Sequence, residues 1–187
     1  MRIISGTYGG RHLATVRGDI RPTSDRLRET LFDVLPDVEG STWLDAFAGS
    51  GAVGIEALSR GARHVVFNDR NRDAIRLIKK NLELCGIEGG YVIRELDVFA
   101  MLRSLRPPFP DYVYFDPPYD FGRHAKLLDR MLTFRVMSPD MLIILETFKK
   151  NVVEPPEEYE VLREVLSSDS RLTFVKLKPR IDADKRG

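Results

Sequence analysis

The chain has 187 residues, of which 43% are hydrophobic and 30% charged, with a formal net charge of +1. These values exclude a disordered chain and predict one globular domain with its own core. No apolar run approaches the ~20 residues that span a bilayer, and the first residues lack the apolar core of a signal peptide. The only cysteine, Cys85, excludes an internal disulfide, and no Cys/His cluster predicts a metal site. We therefore expect a cytoplasmic protein with no metal and no membrane partner.

The positive charge is concentrated near the N-terminus. Residues 1–28 contain six arginines, two aspartates and no lysine, a net charge of +4, so the remainder of the chain carries −3. Because arginine binds phosphate bidentately, this basic arm predicts a polyanionic partner, nucleic acid in particular. Chance clustering of charge in an exposed segment is the alternative.

The first elements in the chain are a hairpin and a helix. A glycine-rich turn at 6–10 separates Ile3–Ile4 from the apolar stretch 12–16, which predicts a small β-hairpin. A helix is predicted to begin near Thr23 or Ser24 and to end at Pro36. We expect residues 1–22 to form a basic hairpin extension and residues 23–187 to form the core of one domain.

From residue 42 onwards, short apolar strands alternate with helices. This order predicts a mostly parallel sheet with helices on both faces. The tail differs, because two strands joined by the polar turn 167–170 predict a final antiparallel hairpin. The predicted strands are 43–47, 64–68, 91–93, 111–115, 141–145, 159–166 and 172–178, and the helices between them are 53–60, one ended by Gly86, 98–105 and 124–133.

A glycine-rich motif lies between the first of these strands and its helix. Gly49-Ser50-Gly51-Ala52-Val53-Gly54 has the form G-x-G-x-x-G, and Asp69 ends the next strand, twenty residues after Gly49. This spacing is typical of dinucleotide binding, with the acid placed for a ribose hydroxyl. An NAD-dependent oxidoreductase is therefore one interpretation.

Asp45 favours a different ligand. It lies near the end of the first strand, where a carboxylate would attract a cationic group and would be unfavourable beside a pyrophosphate. S-adenosylmethionine has a sulfonium, an ammonium, a ribose and an adenine, and no phosphate. Asp45 would then serve the methionine end, Asp69 the ribose and Asp97 the adenine amino group, although Asp97 could instead cap the following helix.

The turn Asp116-Pro117-Pro118-Tyr119 follows the apolar strand 111–115. Two successive prolines stiffen this turn, so that the Asp116 carboxylate and the Pro117 carbonyl form two acceptors at a fixed spacing. Tyr119 can offer its ring for stacking. Such a site could hold a planar heterocycle by its exocyclic amino group, whereas an ordinary proline-rich turn with a solvated aspartate is the alternative.

These motifs resemble the Rossmann-type S-adenosylmethionine-dependent methyltransferases. The blocks Arg2–Gly6, Gly10-Arg11, Arg21–Phe32 and Gly51–Ala62 resemble, in the same order, the bacterial 16S rRNA guanine-N2 methyltransferase family that modifies guanine 966. The resemblance covers about residues 1–146. Two departures are an aspartate, Asp69, where the family usually has a glutamate, and a C-terminal turn without glycine.

The resemblance implies a Rossmann-like, mostly parallel seven-stranded sheet with an antiparallel last strand. It also implies S-adenosylmethionine as cofactor and 16S rRNA, free or in an assembling small subunit, as substrate. For a chain of this size we expect a monomer. The implied catalytic residues are Asp116, Pro117 and Tyr119; the implied cofactor contacts are Asp45, Phe47, Gly49, Gly51, Asp69, Asp97 and Val98; and the implied RNA contacts are Arg2, Arg11, Arg17, Arg21 and Pro118.

Other activities remain open at this stage. The Asp-Pro-Pro-Tyr chemistry would equally serve the N6 of adenine or the N4 of cytosine, although the compact chain shows no added target-recognition segment. A protein glutamine methyltransferase normally has asparagine at the position of Asp116. An NAD-dependent oxidoreductase leaves the Asp116 turn unexplained, and a non-catalytic RNA-binding module leaves the predicted nucleoside pocket unexplained.

Overall fold

The structure is a computed structural model that describes residues 1–15, 24–118 and 121–179. Within these ranges, helices and strands alternate in the predicted order. The helices are α1 (Asp25–Val34), α2 (Ala52–Ser59), α3 (Arg72–Leu84), α4 (Val98–Ser104) and α5 (His124–Phe134), and the strands are β1 (Thr42–Asp45), β2 (His64–Asn68), β3 (Tyr91–Arg94), β4 (Tyr112–Phe115), β5 (Leu142–Phe148), β6 (Tyr159–Ser167) and β7 (Ser170–Leu177).

The strands form one sheet in the order β3-β2-β1-β4-β5-β7-β6. Strands β1 to β5 pair in parallel, whereas β7 pairs antiparallel with both β5 and β6. The predicted mostly parallel, seven-stranded sheet with an antiparallel last strand is therefore confirmed. The chain builds outward from β1 to β3 and then returns to β4, so the switch point lies between β1 and β4. Open α/β sheets bind ligands at such points.

Helices cover both faces of the sheet, as its apolar strands predicted. Successive side chains of a strand point to opposite faces. Trp43 and Tyr112 accordingly pack on the face covered by α1, α2 and α3, whereas Leu44 and Val113 pack on the face covered by α4 and α5. The sheet therefore separates two hydrophobic cores.

The first fifteen residues, here called the N-terminal segment, form only a reduced version of the predicted hairpin. A single antiparallel bridge joins Arg2 to His12. The N–H groups of Ile4 and Ser5 donate to the buried Glu56 carboxylate of α2, at 2.8 and 3.1 Å. Backbone hydrogen bonds from Ile3 to Arg11, at 2.9 Å, and from Gly10 to Ile3, at 2.8 Å, hold the two sides of the turn together, and the bonds to Glu56 attach the segment to the core.

Two turn signals in the sequence are confirmed. The Ser24 side chain accepts the Leu27 N–H at 3.1 Å and caps α1, close to the predicted helix start. At the other end of the chain, Ser167 pairs with Ser170, and Ser168 adopts a left-handed conformation with φ of 53°. The β6–β7 hairpin therefore closes without a glycine.

Candidate cofactor and catalytic site

A cleft lies at the switch point, between the carboxyl ends of β1 and β4. It encloses about 280 Å³, including the part that opens to solvent. The structure therefore brings the glycine-rich turn and the Asp-Pro-Pro turn together, although they are far apart in the chain. Its lining comprises four residues singled out from the sequence, Asp45, Phe47, Gly49 and Asp116, together with Ala48, Ser50, Ala52, Val53 and Tyr114.

Asp45 is the last residue of β1 and is 1% exposed. Its Oδ2 accepts the Gly54 N–H at 3.1 Å. Burial raises the pKa of Asp45 from 3.8 to about 7; the bond from Gly54 opposes this rise, and the charge of Asp69 adds to it. A carboxyl group at such a depth is ionised more readily when a cation lies beside it.

The glycine-rich turn brings α2 close to this carboxyl group. Gly51 has a φ of 78° and is the N-cap of α2. Gly54 approaches β2 so closely that a Cβ in its place would lie 2.3 Å from the Phe67 ring. Because glycine has no side chain, α2 can pack on the strand at this distance, which places the Gly54 N–H within reach of Asp45.

Asp69 follows β2 and holds the backbone around the turn. Its Oδ2 accepts the Gly49 N–H at 2.9 Å, and its Oδ1 accepts the Asn71 N–H at 2.8 Å. Each carboxylate oxygen can accept a second hydrogen bond, so Asp69 retains capacity for a ligand hydroxyl. The carboxylate therefore lies directly beside the turn that lines the cleft.

Asp97 and Val98 lie at the start of α4, and neither lines the cleft between β1 and β4. Asp97 accepts the Phe99 N–H at 2.9 Å, which is the helix cap that the sequence left open as an alternative. Val98 is 4% exposed and its side chain packs in the core. The roles of both residues in cofactor binding stay predictions.

The Asp-Pro-Pro turn follows β4 directly. Asp116 is half-buried, Pro117 is buried and Pro118 is exposed. The Pro118 carbonyl accepts the Phe121 N–H at 2.9 Å. The Phe121 ring lies edge-on to Phe47, with 5.4 Å between ring centroids. Aromatic packing therefore joins this turn to the loop that follows β1.

Tyr114 lies two residues before Asp116, lines the cleft and was not among the predicted site residues. Its buried hydroxyl donates to the Glu146 carboxylate, whose other oxygen accepts the Ser170 hydroxyl at 2.9 Å. Burial raises the pKa of Tyr114 well above its ordinary value, and the charges of Glu146, Asp116 and Asp45 raise it further. Tyr114 is therefore a neutral hydrogen-bond donor next to the cleft at physiological pH.

Four of the six arginines of the basic arm are among the described residues. Arg2 and Arg11 lie on the N-terminal segment, whereas Arg26 and Arg28 lie in α1, where Arg28 is fully buried and pairs with Asp25 at 2.9 Å. Arg2 and Arg11 are both exposed. Arg11 donates to the Cys85 carbonyl at the end of α3, and its guanidinium lies 5.0 Å from the centroid of the Tyr8 ring. This contact holds the segment against α3, while binding of RNA by either arginine stays a prediction. The predicted contacts of Arg17, Arg21 and Tyr119 lie outside the described residues.

Two buried asparagines support the site and were not predicted. Asn68 donates to the carbonyls of Ala46, at 3.1 Å, and Leu96, at 3.2 Å, so it joins the loops that follow β1 and β3. Asn81 is fully buried within α3. A polar residue beside Leu82, on the apolar stripe of an amphipathic helix, is the sequence signal that could have found Asn81.

The chemistry of the cleft suits S-adenosylmethionine. The Asp45 carboxylate offers a counter-charge to a sulfonium or ammonium group, whereas a pyrophosphate would bring a second negative charge beside it. In the part of the chain that the structure describes, no group of three or more His, Cys, Asp or Glu side chains is arranged to hold a metal ion. Over the same residues, no helix has both the length and the apolar character needed to cross a membrane.

Comparison with known proteins places the chain among methyltransferases. The family described as "Conserved hypothetical protein 95" matches residues 1–176. The Ribosomal RNA small subunit methyltransferase D of Haemophilus influenzae is 35% identical over 168 residues, which is 88% of this chain and 87% of the relative. The protein of the same name from Escherichia coli is 33% identical over 153 residues, which is 81% of this chain and 76% of the relative.

Solved structures agree with this grouping. A candidate methyltransferase from Escherichia coli superimposes with a TM-score of 0.82 at 28% identity, covering 95% of this chain and 98% of the other. A hypothetical protein from Thermus thermophilus superimposes with a TM-score of 0.79 at 29% identity, covering 95% and 99%. The fold, the cleft and these relatives all indicate the same class of enzyme. The chain therefore belongs to the conserved hypothetical protein 95 family and, within it, to the bacterial small-subunit rRNA methyltransferases that its sequence resembles.

Proposed function

We propose that this protein transfers a methyl group from S-adenosylmethionine to the exocyclic N2 of one guanine in 16S rRNA. The observation that supports the proposal most directly is the cleft at the switch point of the sheet, which Asp45 and Asp116 both line. Its relatives carry the name of small-subunit rRNA methyltransferases, which supports rRNA as the substrate. The choice of guanine N2 rests on the resemblance of the sequence blocks.

The proposed binding of the cofactor follows the polarity of the cleft. Asp45 serves the cationic methionine end, Asp69 accepts hydrogen bonds from the ribose hydroxyls, and Asp97 accepts one from the adenine amino group. Phe47 and the backbone at Gly49 and Gly51 form the wall, and Val98 is proposed to contribute through its backbone. Bound S-adenosylmethionine supplies the electrophilic methyl group.

The proposed catalytic role of the Asp-Pro-Pro-Tyr turn is to prepare the nucleophile. The N2 lone pair of guanine is delocalised into the ring, so the nitrogen is a weak nucleophile. The Asp116 carboxylate and the Pro117 carbonyl accept the two N2 hydrogens, which favours a pyramidal nitrogen with an available lone pair. One N–C bond forms as the C–S bond breaks, and one N2 proton leaves to Asp116 or to water. Most of the rate enhancement would come from positioning and electrostatics.

The proposed RNA contacts lie on the basic arm and on the turn. Arg2, Arg11, Arg17 and Arg21 would bind backbone phosphates, and Pro118 and Tyr119 would contact the target base. That base must leave its stack to reach a cleft of this kind. We further propose that residues 1–187 act as a single-domain, monomeric, cytoplasmic enzyme on free rRNA or an assembling small subunit.

The substrate is tested by transfer of a tritiated methyl group. Unmodified small subunits, naked 16S rRNA, DNA and total protein are incubated in parallel with the enzyme and labelled S-adenosylmethionine. Label in a single guanine of the rRNA supports the proposal and shows which form is recognised. Label only in DNA or protein would keep the chemistry and refute the substrate.

The role of Asp116 is tested against a matched aspartate at the other end of the same strand. Asp111 precedes β4, is exposed, and accepts hydrogen bonds from Thr42. We expect Asp116→Ala to lower kcat by about 100-fold or more, the usual effect of losing one preorganised polar group in a transition state. Affinity for S-adenosylhomocysteine should change little, and Asp111→Ala should retain kcat. Wild-type turnover in Asp116→Ala would refute the assignment.

The role of the basic arm is tested by the salt dependence of rRNA binding. The logarithm of the association constant falls linearly with the logarithm of salt concentration, with a slope set by the number of phosphate contacts. Arg2→Ala should lower this slope by about one contact. A slope equal to that of the wild type would remove Arg2 from the proposed interface.

A further inference from the structure

Asn81 lies in the interior of α3 and is 0% exposed. Its Oδ1 accepts the Ala14 N–H at 2.8 Å, and its Nδ2 donates to the carbonyls of Ala14, at 3.2 Å, and Ser50, at 2.9 Å. Burying an amide is costly unless it is hydrogen-bonded, and asparagine is a poor residue for a helix interior. The three hydrogen bonds therefore account for an asparagine at this position.

The partners of Asn81 belong to two different parts of the proposed machinery. Ser50 lies in the glycine-rich turn and lines the cleft. Ala14 lies near the end of the N-terminal segment, which carries Arg2 and Arg11. The Asn81 amide therefore forms a direct hydrogen-bonded link between the cofactor turn and the segment proposed to bind RNA.

A second set of contacts anchors the same segment without reaching the cleft. The Ser59 hydroxyl accepts the Tyr8 N–H at 3.0 Å, and the Ser59 carbonyl accepts the Thr7 N–H at 2.8 Å. Ser59 is the last residue of α2, one helix length away from Ser50, and it does not line the cleft. Ser59 thus provides a comparison in which the segment is loosened while its link to the cofactor turn is kept.

We infer that Asn81 is a positioning residue that couples cofactor binding to the placement of the N-terminal segment. When a ligand in the cleft orders the glycine-rich turn, the Ser50 carbonyl becomes a fixed partner for Nδ2, and the amide then holds Ala14 more firmly. Coupling between two sites is reciprocal, so RNA bound to the segment tightens cofactor binding by the same factor. This inference rests on the proposed function, because it takes the cleft as the cofactor site.

Hydrogen–deuterium exchange of the full-length wild-type protein tests the coupling, with and without saturating S-adenosylhomocysteine. We expect the ligand to slow exchange in the glycine-rich turn and also around Ala14. One hydrogen bond has a net value of ~1 kcal/mol, and the bonds of Asn81 are already present without ligand, so the slowing at Ala14 should be measurable but at most about fivefold. In Asn81→Ala, the slowing around Ser50 should remain and that around Ala14 should disappear.

The comparison variant separates coupling from mere attachment. Ser59→Ala should raise exchange of the N-terminal segment with and without ligand, yet retain the ligand-dependent slowing at Ala14. Should Asn81→Ala fail to fold, Asn81→Ser, which supplies a hydroxyl in place of the amide, should give an intermediate slowing. A general loss of structure would also raise exchange in the strands of the sheet, which a folded Asn81 variant should leave unchanged.

Each outcome is decisive. Slowing in the turn without slowing at Ala14 in the wild-type protein overturns the inference, and so does a full response at Ala14 in a folded Asn81 variant. Both results leave the proposed function intact, because ligand binding is still seen at the turn. Absence of any response to S-adenosylhomocysteine would instead refute the cofactor assignment, and the inference would fall with it.

Discussion

Asp45→Asn is the substitution for which the structure yields the sharpest prediction. Burial raises the pKa of Asp45 from 3.8 to about 7. Below pH ~4 the group is protonated in both the folded and the unfolded protein. Between pH ~4 and ~7 the unfolded chain loses the proton while the folded protein keeps it, so the free energy of unfolding falls as pH rises. Above pH ~7 Asp45 is ionised in both states, and the folded protein bears the full cost of burying its charge.

The size of this penalty follows from the two pKa values. Each tenfold change in a protonation equilibrium is worth ~1.4 kcal/mol, so the difference between 3.8 and about 7 corresponds to at most about 4 kcal/mol. Asparagine has nearly the same shape, carries no charge and can still accept the Gly54 N–H. Asp45→Asn should therefore leave stability unchanged near pH 4 and raise it by up to about 4 kcal/mol at pH 8.

Urea unfolding of the apo protein at pH 4, 5, 6, 7 and 8 measures this effect. The difference in free energy of unfolding between Asp45→Asn and the wild type should grow with pH and reach a plateau above pH ~7. Asp111→Asn removes one carboxylate at an exposed site and serves as the control for the loss of a charge without burial. A difference that stays flat from pH 5 to 8 would refute the raised pKa.

The same variant should bind the cofactor less well. A sulfonium or ammonium group beside Asp45 would lower the pKa of this carboxyl group, so wild-type affinity for S-adenosylmethionine should rise as pH increases through 7. Asp45→Asn should lose this pH dependence, and its affinity at pH 8 should be about tenfold lower or more, the effect of losing one charge-assisted contact. Equal affinities measured by calorimetry would place the cation elsewhere.

Further predictions concern the segment, the buried network and the ligand. Gly6→Ala should lower the free energy of unfolding by about 2–4 kcal/mol, because a Cβ would lie 1.8 Å from the Ser59 carbonyl oxygen. Gly10 has a similar φ but no neighbouring atoms within 4 Å of such a Cβ, so Gly10→Ala should lower it by only about 1 kcal/mol. Equal losses for the two variants in urea unfolding would contradict this. Tyr114→Phe should lower the free energy of unfolding by about 1–3 kcal/mol, because it removes the buried hydroxyl that donates to Glu146, and an unchanged midpoint of urea unfolding would contradict this. S-adenosylhomocysteine at about 100 times its Kd should raise the free energy of unfolding by ~2.7 kcal/mol, whereas NADH should not change it. Stabilisation by NADH and not by S-adenosylhomocysteine would support the dinucleotide interpretation instead.

Local patterns in the sequence predict most of the helices and strands. Short apolar strands, helical spacing of apolar residues and glycine or proline at the ends of elements each act over a few residues, so they can be recognised without knowing the partners. The strand His64–Asn68 and the cap at Ser24 illustrate this. The order of the strands in the sheet was not predicted from the sequence, and only the structure gives it. The carboxyl ends of parallel strands meet at one edge of a sheet, and Asp45 and Asp116 accordingly both line the cleft at that edge.

Some features depended on contacts between distant parts of the chain. The N-terminal segment is attached to α2 by Glu56, fifty-two residues from Ile4, which accepts the N–H groups of Ile4 and Ser5. Asp97 is a contrasting case, because it caps α4 through the N–H of Phe99 two residues later, a local contact that the sequence had offered as the alternative to a role at the adenine. The attachment of the N-terminal segment could not be read from the local residues, because it depends on which groups are neighbours after folding.

The class of fold, the family and the acids at the strand ends could be predicted from the amino-acid sequence, because they depend on periodicity and on motifs a few residues long. The tertiary structure decided the environment of those residues. Burial within the fold raises the pKa of Asp45, the meeting of β4 with β5 places Glu146 against Tyr114, and α3 brings Asn81 to Ala14 and Ser50. Desolvation and hydrogen bonding act through neighbours in space, and only the folded chain sets those neighbours.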